Sequence, residues 1–430
     1  GRCGGMTLVL FGVLFLLLFS GFSIALSLGI SASAALYYFT QVPLEAIPQK
    51  IFTNLDSFPL LAVPFFVLAS NVFSVGGVAD RIIRLSNTLF GHVYGGLAIS
   101  GVAACALFAA VSGSSPATVV AIGTIMIPAM QKAGYGRNYA VGSMSTAGAL
   151  GIMIPPSIPM VLYGFATNES VGKLFMAGVL PGLFQALTLA VTCYFVAKRN
   201  NYARLQASTW PERWTALKEA APSMLLPTVI IGGIYSGVFT PTEAAAVAVL
   251  VGVVVGMFVH HELAWRDFPK IFIETGKTSA MLMFIITMAQ LFAFVLTIER
   301  IPQSITESVV SITKEPVLIL LLINLLLLLA GDFMDPSPII LILSPIFHPI
   351  AKAAGIDPIH LGIIMTMNME IGLITPPVGL NLYVASGIAN MPLYSVMRAA
   401  APWILVQCVV LAVVTYWPDL SLFLPRLLYK

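Results

Sequence analysis

Charged side chains are scarce in this sequence, and their scarcity excludes most classes of soluble protein. Asp, Glu, Lys and Arg make up 9% of the 430 residues, whereas hydrophobic residues make up 58%. An ordinary soluble domain carries about 25% charged residues. The composition therefore predicts an all-α, polytopic membrane protein that lies in a lipid bilayer. The formal net charge of +3 is small and gives no reason to expect a nucleic-acid partner.

Cysteine and histidine are also rare, which argues against two common kinds of site. The four cysteines are far apart in the sequence, so neither a disulfide framework nor a cysteine metal site is expected. The five histidines show no metal-ligand spacing. We interpret residues 1–5 as a cloning remnant or the end of a linker. The apolar run from Met6 is interpreted as a first membrane helix rather than a removed signal peptide.

Long apolar stretches occupy most of the chain. They cover residues 6–30, 58–76, 95–133, 138–166, 172–197, 221–238, 242–260, 277–298, 316–352, 358–389 and 394–417. Most have the length of one membrane helix of about 20 residues. Two are longer and are interrupted by polar, proline-marked segments, Ser112–Pro116 and Gly331–Pro338. We interpret each as a re-entrant hairpin of two half-helices, because broken backbone at membrane depth must be buried in protein or line a wet cavity.

The two interruptions belong to an internal repeat. Adding 221 to a position in the first half gives its counterpart in the second: 151 + 221 = 372 pairs Gly151 with Gly372. The same offset pairs Pro155-Pro156 with Pro376-Pro377, which predicts a broken helix in each half. Paired breaks in apolar segments are typical of secondary transporters built from repeats.

The distribution of basic residues predicts how the repeat is oriented. The connection between residues 198 and 218 carries five Lys and Arg residues, so it is predicted to be cytoplasmic. Counting crossings from there, hairpin 95–133 opens to the cytoplasm and hairpin 316–352 opens to the outside. An odd number of crossings separates the halves, which predicts an inverted-topology repeat.

This reasoning divides the chain into scaffold and repeat segments. The predicted segments are a scaffold helix and connection at 6–57, a first repeat half at 58–197 with hairpin 95–133 and broken helix 138–166, a cytoplasmic loop at 198–220, scaffold helices and an arm at 221–276, a second repeat half at 277–389 with hairpin 316–352 and broken helix 358–389, and a C-terminal helix at 390–430. For the arm at 261–270, an interfacial helix and a solvated linker both remain open.

The interruptions carry the oxygen atoms that a sodium ion prefers. Carbonyls without helix partners, hydroxyls and carboxylates are hard ligands, and unwound membrane helices use such groups to bind Na⁺. The candidate Na⁺ ligands are Ser112, Ser114, Ser115, Gly151, Met153 and Pro155 in the first repeat, and Asp332, Met334, Asp335, Gly372, Thr375 and Pro377 in the second. At any single break, a simple proline kink with serines bonded to their own helix remains the alternative.

Helix N-termini that follow the breaks are expected to face an anionic solute. The candidate solute contacts are Ser115, Pro116, Ser157, Pro336, Ser337 and Asn381. Two further carboxylates, Asp56 and Glu370, are candidate functional residues. A charge at bilayer depth costs at least about 2.5–3.5 kcal/mol, which favours a functional role for Glu370. A structural hydrogen bond at a domain interface remains the alternative.

The motifs resemble one family of membrane proteins along essentially the whole chain after Met6. The resemblance rests on Asp56–Pro64, Ser112–Pro128, Gly148–Ser157, Gly237–Ala244, Gly331–Pro345 and Met369–Tyr383. In these segments the sequence resembles the large membrane (M) subunit of tripartite ATP-independent periplasmic (TRAP) transporters. The second half looks most like the members that transport C4-dicarboxylates.

The resemblance implies Na⁺-coupled import of an acidic organic solute through the bacterial inner membrane by an elevator mechanism. It also implies two partners, a small membrane subunit (Q) and a periplasmic solute-binding protein (P), with Na⁺ bound at the hairpin tips and the facing breaks. Sialic acid or another carboxylate remains open as the solute.

Three rival functions are weaker. An ATP-driven pump needs a P-loop, but Ile271 stands where the motif before Lys277 requires glycine, so no ATP site is expected. An intramembrane protease needs a second catalytic aspartate on another helix, and Asp335 is only three residues from Asp332. A channel remains open, although the inverted repeat favours alternating access.

Overall fold

The computed structural model describes residues 2–40, 42–43, 45–313 and 315–428, so Gly1 and Lys430 lie outside the described residues. Helices α1–α11 are Arg2–Phe19, Ile24–Phe39, Ala46–Leu55, Ala62–Val75, Val78–Phe90, Gly96–Ser112, Ser115–Thr118, Thr124–Lys132, Arg137–Ala147, Ile158–Thr167 and Val171–Arg199. Helices α12–α21 are Trp210–Tyr235, Pro241–Val254, Phe268–Ile298, Ile301–Ile312, Pro316–Phe333, Pro336–Ala353, Pro358–Gly372, Leu380–Ala389, Leu393–Tyr416 and Pro418–Leu428.

The helices repeat with the offset of 221 residues. Shifting α6 from 96–112 by 221 gives 317–333, and α16 occupies 316–333. Shifting α9 from 137–147 gives 358–368, and α18 begins at Pro358. The offset also relates α1 and α2, in the region predicted as scaffold, to α12 and α13, so the first repeat extends from α1 to α11. Counted as one crossing each, α1, α2, α4, the α9–α10 pair and α11 give five crossings, and the α6–α8 hairpin gives none. Because five is odd, the second repeat has the opposite orientation.

The two repeats interlock. Helix α2 of the first repeat packs on α14 of the second, and α13 of the second packs on α4 of the first. Gly252 on α13 leaves no room for a side chain beside Phe73 on α4, and Gly29 on α2 lies against Met288 on α14. Small residues let membrane helices approach closely. Each repeat therefore supplies packing partners for helices of the other.

Both predicted hairpins are confirmed. In the first, α6 ends at Gly113, whose φ of 62° is left-handed, a conformation that terminates a helix and favours glycine. The chain then turns back through α7, a π-helical segment at Val119–Gly123, and α8. In the second, α16 ends before the extended residue Met334, and Pro336 begins α17, where the missing proline N–H costs nothing.

Both predicted broken helices are also confirmed. In the first repeat, α9 continues as a 3₁₀ turn, Gly148–Ile152, and α10 starts after the N-cap Ser157. In the second repeat, α18 ends at Gly372 and α19 starts after Gly379, which has a positive φ. The Pro155-Pro156 and Pro376-Pro377 peptide bonds are both cis.

The N-terminal stretch differs from its prediction. Residues 6–30 form parts of two helices, because α1 ends at Phe19, before the Ser20-Gly21 turn, and α2 begins at Ile24 after the N-cap Ser23. Arg2–Gly5 belong to α1 rather than to an unstructured linker. The Ser20-Gly21 pair is a turn signal in the sequence, but hydrophobicity averaged over 6–30 conceals it because apolar residues flank it on both sides.

The central segments also differ from their predicted boundaries. The second half of the predicted loop 198–220 is helical, since α12 begins at Trp210, where Thr209 and Glu212 form a capping box. The predicted arm and the stretch 277–298 are one continuous element, because a 3₁₀ turn at Trp265–Asp267 leads directly into α14.

Several helices were not recognised in the sequence because they are short or amphipathic. Helix α5 carries Asp80, Arg81 and Arg84 among its apolar residues, and α15 and α21 likewise mix polar and apolar side chains. Among the described residues, seven helices are long and apolar enough to span a membrane. The assignment of segments to a scaffold and a moving part stays a prediction.

Candidate ion and solute site

The first hairpin tip is pressed against the first helix break. A side chain on Gly151 would place its Cβ 2.5 Å from the Ser114 carbonyl oxygen and 2.6 Å from the Thr118 hydroxyl. The same carbonyl oxygen accepts the Thr118 hydroxyl at 2.9 Å, and the Ser112 and Thr118 hydroxyls are 2.9 Å apart. Two hydroxyls and a carbonyl are thus concentrated against a glycine of the facing element.

The second tip has the same construction with different side chains. A Cβ on Gly372 would lie 2.6 Å from the Gly331 carbonyl oxygen, so α16 and α18 touch through their backbones. The Val378 amide donates to the Asp332 carbonyl at 3.2 Å, which joins the tip to the Pro-Pro break. Asp332 and Asp335 are partly exposed, and Asp335 is the N-cap of α17 without a side-chain capping bond. Its carboxylate therefore remains available to another partner.

Helix C-terminal ends converge at both tips. Helix α6 and the 3₁₀ turn Gly148–Ile152 end at the first tip, and α16 and α18 end at the second. The last four carbonyls of a helix lack intrahelical partners, and the helix dipole places partial negative charge there. Converging C-terminal ends therefore attract a cation.

Helix N-terminal ends converge beside them. Ser157 caps α10 by accepting from the Met160 amide at 3.4 Å, and it donates to the Ile152 carbonyl at 2.5 Å. Pro336 and Ser337 open α17 and are partly exposed. N-terminal amides with the positive end of the dipole favour an anion, so cation-attracting and anion-attracting ends lie at the same breaks.

A hydrogen-bonded pair links the two repeats inside the site. The Asn381 Nδ2 donates to the Ser115 hydroxyl at 2.8 Å and to the Ser145 carbonyl at 3.2 Å, while the Ser115 hydroxyl is 3.1 Å from Asn381 Oδ1. Both Ser115 and Asn381 are fully buried. The first hairpin is therefore tied to the helix that follows the second break.

Glu370 has a structural partner that was not foreseen. It is fully buried on α18 and accepts a hydrogen bond from the side-chain amide of Gln185 on α11. Its other oxygen, Oε2, and Gln185 Oε1 have no hydrogen-bond partner among the described residues. The pair joins α11 to α18, which agrees with the structural alternative considered from the sequence.

Most of the residues singled out from the sequence lie at these two tips. Met153 and Pro155 are buried in the first break, and Thr375 is partly buried in the second, where its hydroxyl donates to the Ile371 carbonyl at 2.7 Å. Pro116 is partly buried and Pro377 is exposed. Asp56 lies elsewhere, as an exposed residue at the C-terminal end of α3.

Sequence reasoning missed three residues of this arrangement. Thr118 follows Ser114 by one helical turn, and Gln185 is the only amide side chain in the stretch 172–197. Gly331 was noted only as the start of a polar segment. For Thr118 the available signal was its place one turn after the Ser112–Pro116 segment, and for Gln185 it was a strongly polar side chain in an apolar helix, which points inward in a membrane.

The donor atoms are those of a site for a hard cation. Within the described part of the chain, no three His, Cys, Asp or Glu side chains gather where they could hold a metal ion. The groups that do gather are carbonyls and hydroxyls at the first tip, and carbonyls with Asp332 and Asp335 nearby at the second. Such oxygens suit hard cations, whereas soft transition metals prefer thiolate or imidazole ligands.

Comparison with known proteins gives consistent relatives. Residues 11–420 match the family model described as "Tripartite ATP-independent periplasmic transporter, DctM component". The chain is 51% identical to the C4-dicarboxylate TRAP transporter large permease protein DctM of Pseudomonas aeruginosa, over 93% of this chain and 94% of that protein. It is 47% identical to the protein of the same name from Rhodobacter capsulatus, over 98% and 99% of the two chains. The structure of the Alcanivorax borkumensis YdaH transporter shares the fold, with a TM-score of 0.63 and 15% identity over 87% of this chain and 89% of that one.

Proposed function

Because the chain belongs to the DctM family of TRAP transporter components, whose members are multi-pass inner-membrane transport subunits and not enzymes, we propose that it imports a C4-dicarboxylate or similar acidic solute together with Na⁺. The relatives' names support the solute class, and 47–51% identity over nearly the whole chain supports its transfer to this protein.

The proposed Na⁺ coupling rests on one observation. Helix C-terminal ends and helix N-terminal ends lie together at each of the two oxygen-rich tips. A dianion in a membrane needs compensating positive charge. Helix N-termini supply partial charges, and Na⁺ ions at the adjacent C-termini supply whole ones. An ion bound at Gly151 or Gly372 would therefore hold the tip in the shape that receives the solute.

We propose an elevator movement for the transport step. Both hairpins and both broken helices are treated as one body, because the Ser115–Asn381 bonds tie the first hairpin to the second broken helix, α10 packs on α17, and α16 packs on α18. The interlocked pairs α2–α14 and α4–α13 lie outside that body and suit a fixed scaffold. Movement of the first body against the second would carry the occupied site across the membrane.

The family implies two partners, a small membrane subunit and a periplasmic binding protein. The proposed roles follow from this division: the binding protein selects and delivers the solute, and the small subunit extends the scaffold. Selectivity is then shared with the binding protein.

The test is uptake of labelled succinate into proteoliposomes that contain this chain and the small subunit, with the binding protein added outside. We expect uptake with an inward Na⁺ gradient and none when K⁺ replaces Na⁺. Labelled sialic acid serves as the competing solute. Equal succinate uptake in K⁺ contradicts the proposed coupling, and uptake of sialic acid alone contradicts the proposed solute.

A variant and its matched control test whether the second tip binds the Na⁺ ion. Asp335→Asn removes the unpaired carboxylate at the start of α17 and is expected to raise the Na⁺ concentration needed for half-maximal uptake. The matched control is Asp357→Asn, because Asp357 only caps α18, through the Ile359 amide at 2.8 Å, and asparagine caps equally well. An unchanged Na⁺ response in Asp335→Asn removes that residue from the ion site.

A further inference from the structure

A chain of buried amide and hydroxyl groups joins three helices of the second repeat. Asn368 Nδ2 on α18 donates to Asn324 Oδ1 on α16 at 2.7 Å. Asn324 Nδ2 in turn donates to the Thr415 hydroxyl on α20 at 3.0 Å. All three residues are buried. We name these residues, Asn324, Asn368 and Thr415, the amide ladder.

The orientation of the ladder is determined by its partners. Asn368 Nδ2 also donates to the Ile364 carbonyl at 2.8 Å, so both of its N–H groups meet acceptors and an exchanged amide would lose both bonds. Asn324 offers its oxygen to α18 and its nitrogen to α20. The ladder therefore holds α16 between two neighbours by directed bonds rather than by apolar contact alone.

The ladder lies directly behind the second tip. Asn324 precedes Gly331 on α16 by seven residues, which is two helical turns, and Asn368 precedes Gly372 on α18 by four residues, which is about one turn. Gly331 and Gly372 touch through their backbones, and a Cβ on Gly331 would also lie 3.6 Å from the Asn368 carbonyl oxygen. The Asn324–Asn368 bond is thus a polar contact, one to two turns behind the glycine contact, between the two helices that end at the tip.

The first repeat has no counterpart of the ladder. Subtracting 221 from 324, 368 and 415 gives positions 103, 147 and 194, which are Ala103, Ala147 and Tyr194. At the first tip the Ser112–Thr118 bond stays within the hairpin itself, and Ser115 of the same hairpin bonds Asn381 of the other repeat rather than a helix of its own repeat. The two sites therefore differ behind their tips as well as at them.

We propose that the amide ladder preforms the second ion site by holding the C-terminal ends of α16 and α18 together, and thereby sets its affinity for Na⁺. Asn324, Asn368 and Thr415 act as positioning residues rather than as ligands. The proposal rests on the Na⁺ coupling proposed above. A site whose carbonyls are already gathered loses less conformational freedom when the ion binds, so loss of the ladder raises the Na⁺ concentration at which the second site fills.

The test exchanges the ladder for the residues that the first repeat carries. Asn324→Ala with Asn368→Ala removes both ends of the connecting bond, which avoids leaving a single unpaired amide. The matched control is Thr366→Val on the same helix, because Thr366 is equally buried but bonds only its own helix, at the Gly362 carbonyl. Thr415→Val, which removes only the outer bond, provides a milder variant that keeps the test available if the double variant does not accumulate in the membrane.

The measurement is Na⁺-dependent succinate uptake across a range of Na⁺ concentrations, at equal amounts of protein in the liposomes. We expect the half-maximal Na⁺ concentration to rise about fivefold in the double variant and less in Thr415→Val, in line with the modest strength of interhelical hydrogen bonds in membranes. Uptake at saturating Na⁺ should stay near that of the wild type, and Thr366→Val should match the wild type throughout.

The opposite outcomes are distinct. A purely structural ladder would lower maximal uptake and leave the half-maximal Na⁺ concentration unchanged, and that result overturns the inference while leaving Na⁺ coupling intact. A double variant whose maximal uptake and half-maximal Na⁺ concentration both match the wild type also overturns the inference and leaves Na⁺ coupling intact. Wild-type uptake that ignores Na⁺ overturns the proposed function and this inference together.

Discussion

At the scale of single residues, the site depends on glycines that allow backbones to touch. Gly151 contacts the Ser114 carbonyl. Its counterpart at the offset of 221, Gly372, contacts the Gly331 carbonyl. The serines and aspartates of the tips could be identified from the sequence because polar residues stand out in apolar stretches. The partners Thr118 and Gln185 could not, because only the packing shows which isolated polar residues face each other.

The first prediction concerns these two glycines. Gly151→Ala and Gly372→Ala are each expected to abolish most Na⁺-dependent uptake, because the added methyl group pushes the tip from its break at a cost of about 1–3 kcal/mol. Uptake per amount of protein in the liposomes is the measurement. Gly387→Ala on α19 is the control, since no atom lies within 4 Å of its added Cβ, and it should transport normally. If both tip variants transport like the control, the backbone contacts are irrelevant to transport.

At the scale of elements, the amphipathic helix α5 joins the first hairpin to α12, and it was not predicted because it is not an apolar stretch. It packs on α6 of the first hairpin and on α12. Arg81 pairs with Glu262 at 2.7 Å and Arg84 with Glu219 at 2.5 Å. These pairs line a polar cavity of about 610 Å³ between α5, α12 and the end of α13. The sequence predicted the hairpins well because both are bounded by proline and polar residues, whereas α5 has too many charges to register as an apolar stretch.

The second prediction concerns His260, which follows the membrane-spanning segment Pro241–Val259 at this cavity. Its Nδ1 is 2.8 Å from the Gly76 carbonyl at the end of α4, and its Nε2 is 3.5 Å from the Ser223 hydroxyl on α12. Burial lowers the pKa of His260 most, and this outweighs the raising effect of the Gly76 carbonyl; Arg81 and Glu262 have smaller effects that lower and raise the pKa respectively. His260 is therefore neutral when the protein is folded at neutral pH.

The sign of the pH effect follows from this lowered pKa. In the unfolded chain a histidine takes up a proton below about pH 6.5, whereas the folded protein resists it, so stability falls as the pH falls through this region. Thermal unfolding in detergent between about pH 7.5 and pH 5.5 should show a larger loss of stability for the wild type than for His260→Asn, whose amide can still donate to Gly76. Equal losses for the two proteins contradict the assignment.

At the scale of the whole molecule, the interlocked repeats determine how the chain must assemble. Helix α2 finds its partner α14 only in the second repeat, and α4 finds α13 there as well. The connection between the repeats is exposed from Ala203 to Ala207. A break in the chain within this segment therefore removes little packing.

The third prediction follows from this exchange of helices. Fragments 1–206 and 207–430, expressed together, are expected to associate and co-purify through an affinity tag on one of them, because exposed loops tolerate cleavage. Either fragment expressed alone should be degraded or aggregate, since its scaffold helices lack their partners. Stable accumulation of a single fragment in the membrane shows that the halves are independent and contradicts the interlocked arrangement.

The sequence by itself determined the class of the molecule, the repeat, and the two pairs of breaks. Composition and periodicity reflect the bilayer directly, since apolar length and proline position are local properties of the chain. Only the tertiary structure decided which helices pair across the repeats, that Gln185 donates a hydrogen bond to Glu370, and that the amide ladder lies behind the second tip and not the first. Those contacts join residues far apart in sequence, such as Ser115 and Asn381, and a single sequence carries no local signal of which distant partner a buried polar group meets.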